Sequence, residues 1–496
     1  MKEATKFYIG GQWVDPIGGK IVDVVNPADE SVTGHVALGD ERDVDAAVAA
    51  ARKAFPAWSR TSREERLTII DRVIEEFKAR HQQFGDLISE EIGAPLSFAR
   101  KFHAGLGLTH LKVARRTLAD YHFETQQGGT IVAQVPIGVC ALITPWNYPI
   151  NQVAVKVAPA LATGCTMVLK PSELSPYSSM LWAEVMDAAG VPPGVFNLVN
   201  GEGPVVGRAL SGHRDVDMVS FTGSTGAGID VARTAAGTVK RVAQELGGKS
   251  ANVILDGPSF EASVEAGIRK LMTNAGQTCS APSRMLVPSS RMQDAIAVAK
   301  RVAATLRVGL PGEDPDMGPV VSAQQWQRIQ DYIESGIADG ATLVAGGPGR
   351  PAGLEKGFYV QPTIFADVKN DLKIAREEIF GPVLCMIGFD GIADAIETAN
   401  DTDYGIAAYV SGDDVDDVET VANGLRAALV SANGTSTDPT APFGGFKRSG
   451  NGREYGTYGF HEYLEYKAMV GVAPLVATDA ATADQPAKKE PAAATA

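Results

Sequence analysis

The chain has 496 residues, room for about three domains at roughly 150 residues each. Apolar residues make up 45% and charged residues 21%, which gives the chain a core to bury and excludes global disorder. Forty-five Lys and Arg against 59 Asp and Glu leave a net charge of −14, so neither nucleic acid nor an anionic membrane is an expected partner.

The first 25 residues read as short strands and turns, FYIGGQWVD and KIVDVVNP, broken at Gly18-Gly19. A helix follows with Asp40 as its N-cap, because Val44, Ala47, Val48 and Ala51 recur at helical spacing. Glu64 to Gly85 and Pro95 to Leu118 read as two further helical segments. Beyond residue 131 short apolar strands alternate with helices. Val139–Ile143, Thr166–Lys170, Val195–Val199 and Met218–Phe221 are the strands; Val153–Ala162, Ser178–Ala189 and Val205–Leu210 are the helices. This alternation predicts βαβ units and a mostly parallel sheet. A second alternating run starts near Ser250 and continues to Ala432, so two α/β layers are expected. Residues 475–496 are Ala, Thr, Pro and Asp without apolar period, and a disordered tail is expected there. The N-terminus lacks a signal-peptide core and no stretch reaches membrane-spanning length, so a cytoplasmic protein with reduced thiols is expected.

Cys140, Cys165, Cys279 and Cys385 include no CxxC pair, and the seven His form no HxxxH or HExxH cluster; no metal is expected. GxSxG, GxGxxG and a complete P-loop are also missing, the last because Ala243 stands where Gly is required. The run FTGSTGAG (221–228) lies between a strand and a helix, where free N–H groups suit a pyrophosphate, although a plain tight turn explains it equally well. Cys140, Cys165 and Cys385 sit in or beside apolar strands and read as core. Cys279 alone has polar and small neighbours, as a nucleophilic thiol requires. Glu245, beside paired glycines, reads by itself first as a cap or salt bridge and only second as a base. Asn147, after a strand end, has an amide that could donate to an oxyanion, although Asn in a turn is usually structural.

The ordered set TPWNYP (144–149), KPSE (170–173), FTGSTGAG (221–228), ELGGKS (245–250), GQTC (276–279), EEIFGPV (377–383) and PFGGFKRSGNGRE (442–454) resembles the aldehyde dehydrogenase superfamily over residues 6 to 474. The resemblance implies an α/β fold: a Rossmann-like NAD-binding domain (1–120 and 139–248), an α/β catalytic domain (249–455) and a β oligomerisation arm (121–138 and 456–474). It also implies a homodimer or homotetramer. It casts Cys279 as nucleophile toward an aldehyde, through a thiohemiacetal and a thioester. Asn147 becomes an oxyanion donor together with the Cys279 N–H, Glu245 the activator of hydrolytic water, and Lys156 with Glu454 a proton relay. NAD is the implied cofactor, with Lys170 and Glu173 at the adenosine ribose, Gly223 and Ser224 at the pyrophosphate, Glu378 at the nicotinamide ribose, and Phe380 and Trp146 beside the ring. Tyr148, Val155, Thr278, Ser280, Thr437 and Phe443 are implied walls of the substrate tunnel. The sequence around Cys279 is similar to bacterial enzymes acting on bulky, aryl or ω-oxo acid aldehydes. A CoA-acylating relative, a thioester hydrolase and a non-catalytic structural member are the alternatives. Glu245 argues against the first, the KPSE and EEIFGPV motifs against the second, and the intact Cys279, Glu245 and Asn147 set against the third.

Overall fold

The computed structural model describes residues 2–472; the expected tail lies outside them. Val139–Ile143 is central in a seven-stranded sheet of order Arg241–Glu245, Met218–Thr222, Val139–Ile143, Thr166–Lys170, Phe196–Leu198, Phe7–Ile9, Gln12–Val14. The first five strands run parallel. The last two, supplied by the N-terminus, are antiparallel to their neighbours. Every residue of VCALI is buried, because helices cover both faces and leave no solvent side to mark with polar residues. Alternation is still present. Cys140 and Leu142 enter one apolar core with Met167 and Leu169; Val139, Ala141 and Ile143 enter another with Val168 and Val219. The chain leaves the central strand first toward Thr166–Lys170 and later toward Met218–Thr222. A topological switch therefore lies beside Val139–Ile143, where doubly wound sheets open a ligand crevice at their carboxyl ends.

A second seven-stranded sheet has the order Thr342–Ala345, Thr363–Ala366, Val383–Phe389, Arg284–Pro288, Ala251–Ile254, Ala407–Ser411, Leu429–Ala432. All its pairings are parallel except the first, and it has its own apolar core. A small antiparallel sheet joins Glu124–Gln127, Thr130–Pro136 and Leu464–Val470, with Leu464 opposite Pro136 and Val470 opposite Thr130. Gly456–Glu462, just before its last strand, is a helix whose Phe460 sits in the core of the first sheet.

The helix Glu41–Trp58 begins at Asp40 with a capping box closed by Asp43, and Val44, Ala47, Val48 and Ala51 form its buried stripe. Two helical readings change in detail. The segment 64–85 is two helices, Arg63–Ala79 and His81–Ile92, separated at Arg80 (φ −109°, ψ 9°). The segment from Pro95 contains a π-helical turn, Ala99–His103, ahead of Ala104–Asp120. Neither break carries a Gly or Pro that sequence periodicity could register.

Candidate active site

Strand ends place the site. Asn147 follows Val139–Ile143, Lys170 ends Thr166–Lys170, Gly223 follows Met218–Thr222, and Glu245 ends Arg241–Glu245; all are carboxyl ends of the first sheet. Cys279, Glu378 and Gly248 precede Arg284–Pro288, Val383–Phe389 and Ala251–Ile254; all are amino ends of the second sheet. The two edges meet, and backbone meets backbone. A Cβ on Gly248 would stand 2.5 Å from the Cys279 carbonyl oxygen, and one on Gly247 would stand 2.1 Å from the Glu378 carboxylate. The paired glycines of ELGGKS are thus a requirement of close approach.

The Asn147 amide donates to the Gln277 carbonyl at 3.1 Å, which ties it to the segment carrying Cys279. The Tyr148 hydroxyl pairs with Thr278 Oγ1 at 3.0 Å. Tyr148 stacks on His103 with centroids 4.6 Å apart. Phe98 stands edge-on to His103 at 5.0 Å and stacks on Phe102, also at 5.0 Å. Phe102 is exposed, so an aromatic track runs from beside Cys279 to the surface. Ser280, next to the thiol, gives its carbonyl to the Tyr409 hydroxyl at 2.8 Å. Phe443 exchanges backbone hydrogen bonds with Glu454 and stacks on Tyr455 at 5.2 Å. Thr437 is exposed on a loop. Val155 is buried and lines a small internal cavity with Ser220, Ala243, Glu245, Arg453 and Glu454.

That cavity gathers the carboxylates. Lys156 Nζ bonds Glu454 Oε1 at 2.7 Å and donates to Ser220 Oγ at 2.9 Å, a buried ion pair held on two sides. Both Glu245 carboxylate oxygens are buried without a hydrogen-bond partner. Burial, reinforced by the like charge of Glu454, raises the Glu245 pKa well above the ordinary glutamate value. A carboxylate so raised is a stronger base once ionised. The Cys279 thiol is pushed up to about 12 by burial first, then by Glu378, Glu245 and Glu454. The free protein therefore holds a thiol, and thiolate needs an acceptor for its proton. Alkylation of Cys279 by iodoacetamide without cofactor should accordingly keep rising through pH 6 to 10 with no plateau. Glu378→Gln, which removes the largest like charge, should speed it several-fold at fixed pH. A plateau below pH 8 would contradict this environment.

The crevice at the switch suits a dinucleotide. Ser224 caps the helix Thr225–Ala235 through its hydroxyl, which accepts from the Ala227 N–H at 3.3 Å, and that helix directs its N-terminus to the crevice. Gly223 is held by its N–H on the Glu245 carbonyl at 3.1 Å. Lys170, itself buried, bonds Glu173 at 3.2 Å just past its strand. Glu378 accepts from the Gly248 N–H at 2.9 Å, and burial raises it to about 7. Phe380 has positive φ (62°) and stands edge-on to Trp146, centroids 5.4 Å apart. An exposed cap, a buried cation and two carboxylates beside a crevice fit phosphates and ribose hydroxyls.

Sequence reasoning gave no role to Asn274, Gln277, His103, His110 or Tyr455. Their signals are faint: Asn-Ala-Gly before Gln277 suggests a left-handed turn, and Tyr455 merely follows Glu454.

Comparison with known proteins identifies the family. Residues 13–469 match the model of the aldehyde dehydrogenase family, and the chain belongs to that family. It is 52% identical over 473 residues to a 3-succinoylsemialdehyde-pyridine dehydrogenase from Pseudomonas sp, covering 95% of this chain and 99% of that one. A putative aldehyde dehydrogenase of Staphylococcus epidermidis is 45% identical over 472 residues, with 95% and 99% covered. Among solved structures, a mutant of aldehyde dehydrogenase C from Pseudomonas syringae, in complex with NAD+ and octanal, superposes with a TM-score of 0.94 at 53% identity, covering 95% of this chain and 98% of that one. An NAD+ complex of a Bacillus cereus aldehyde dehydrogenase gives 0.90 at 37% identity, with 94% and 96% covered.

Proposed function

We propose that this protein oxidises an aldehyde to its carboxylic acid with NAD, using Cys279 as a covalent nucleophile. The observation that carries the reading is the meeting of the Asn147 amide with the Cys279 segment, beside a buried Glu245 whose oxygens have no other partner. The Cys279 sulfur attacks the aldehyde carbon, and its proton passes to Glu245. The Asn147 amide and the Cys279 N–H hold the oxyanion. NAD, when bound, supplies the acceptor for the hydride that leaves as the thioester forms. Glu245, once it has passed that proton on toward Glu454, takes another from water, and that water opens the thioester and frees the Cys279 sulfur. Each proton leaves by way of Glu454, which lines the Glu245 cavity, and its ion-pair partner Lys156. Lys170, Glu173, Gly223, Ser224 and Glu378 hold the dinucleotide, and Trp146 and Phe380 flank its ring.

The aromatic track through Tyr148, with Phe443 on the other wall, favours a bulky, aryl or ω-oxo acid aldehyde. The Pseudomonas relative named for a pyridine semialdehyde supports that class. The three-stranded arm ends in Leu464–Val470, an edge strand suited to joining subunits into a dimer or tetramer. The test is a panel of alkyl, aryl and ω-oxo acid aldehydes with NAD, followed by absorbance of the reduced cofactor. No reduction with any member would end the proposal; equal kcat/KM for acetaldehyde and the bulky members would end its substrate part.

Cofactor choice follows from Glu173. Its carboxylate suits a ribose hydroxyl and opposes a 2′-phosphate. NAD should exceed NADP in kcat/KM by about ten- to a hundredfold, roughly 1.4–2.7 kcal/mol. Parity between the two would show that Lys170 neutralises the phosphate instead.

A further inference from the structure

We infer that Asn274 is a positioning residue that aims the oxyanion amide of Asn147 at Cys279. The inference rests on the oxyanion role proposed above for Asn147. The helix Phe260–Met272 stops short of the nucleophile, and three successive residues then take left-handed backbone: Asn274 (φ 55°), Ala275 (φ 54°) and Gly276 (φ 71°). Only the last is a glycine. Left-handed backbone is uncommon for Asn and unfavourable for Ala, so the surroundings must impose the run. Part of the cause is visible at Gly276, where a Cβ would stand 2.1 Å from the Gly381 carbonyl oxygen.

The run sets the Asn274 side chain between the Asn147 and Gln277 segments. Asn274 is buried, and its amide donates to the Asn147 carbonyl at 3.0 Å and to the Gln277 carbonyl at 3.2 Å. The same Gln277 carbonyl receives the Asn147 amide at 3.1 Å. Gln277 is fixed in turn, by its Nε2 on the Asn274 carbonyl at 3.1 Å and by its Oε1, which accepts from the Val321 N–H at 2.9 Å. An amide has two N–H donors. One N–H of Asn147 is spent on Gln277, which leaves the other to face a developing oxyanion. Asn274 holds both things that set its direction: the backbone of Asn147 and the carbonyl that occupies the first N–H. It joins segments 127 residues apart in the chain. It touches no reacting atom, so its effect passes through Asn147.

The test is a double-mutant cycle. Asn274→Gly accepts the left-handed backbone and removes only the amide. It should slow the pre-steady-state burst of reduced cofactor at least about tenfold, against the hundredfold or more typical of losing an oxyanion donor itself. Three readings separate positioning from bare structural support. The NAD dissociation constant should stay unchanged. Alkylation of Cys279 by iodoacetamide, a displacement that develops no oxyanion, should change less than about threefold. Asn147→Ala combined with Asn274→Gly should be no slower than Asn147→Ala alone within about threefold, because removing the amide leaves nothing to aim. Parallel losses of burst and alkylation, or additive losses in the double variant, would overturn the inference. An intact burst in Asn147→Ala would remove the oxyanion assignment and this inference together. An intact burst in Asn274→Gly alone would remove this inference and leave that assignment standing. Should Asn274→Gly not fold, Asn274→Ser, too short to bridge both carbonyls, is read by the same three measurements.

Discussion

Cys279→Ala should lower aldehyde oxidation at least about a thousandfold, roughly 4 kcal/mol of barrier, while NAD binding stays intact. The side chain is small and half-buried at the meeting of two loops, so its loss leaves little cavity and removes the covalent step. Ala at Cys140, Cys165 or Cys385 should act on stability alone, because each of those is fully buried in a core. Retention of more than about a hundredth of kcat, some 2.7 kcal/mol, would exclude covalent catalysis by this thiol.

Glu245→Gln should separate the two halves of turnover. Shape and burial are kept and the base is lost. A stoichiometric burst of reduced cofactor should remain, followed by steady-state turnover slowed about a hundredfold or more. The raised pKa of Glu245 also fixes the sign of the pH dependence. The carboxylate is the active form, so deacylation in the native protein should strengthen as pH rises through that pKa. The variant should lose this rise. Equal loss of burst and steady state would assign Glu245 to taking the thiol proton only.

Much of this site was legible because polarity stands out against an apolar background. VCALI and TMVLK are buried along their whole length, so the polar residues at or just beyond their ends, Asn147, Lys170 and Glu173, mark the carboxyl ends, where ligands of doubly wound sheets bind. Cys279 was separable from three core cysteines by its neighbours alone. What could not be read was direction. All fifteen residues of the helix Pro149–Thr163 are buried, so its sequence has no polar face to show which side meets the site. Motif position alone puts Val155 on the tunnel wall; in the structure it lines the small cavity it shares with Glu245 and Glu454. The left-handed run at Asn274 was hidden for another reason. Ala275 is not a residue that announces positive φ, and packing from the second sheet imposes it.

The glycine contacts at 247, 248 and 276 have a bearing on how such an enzyme diverges. At these points main chain presses on main chain or on a carboxylate, and no heavier residue can be admitted without moving Cys279, Glu378 or Gly381. Random drift is therefore filtered hardest around the proposed nucleophile. The proposed substrate wall of Phe102, Tyr148 and Phe443 is held by ring contacts, edge-on between Phe102 and Tyr148 and stacked between Phe443 and Tyr455, and such contacts tolerate exchange of one ring for another. Descendants of this fold can thus acquire new aldehydes by repainting the wall while inheriting the reaction unchanged, and the first substitutions to appear in a selection for a new substrate should fall on those rings.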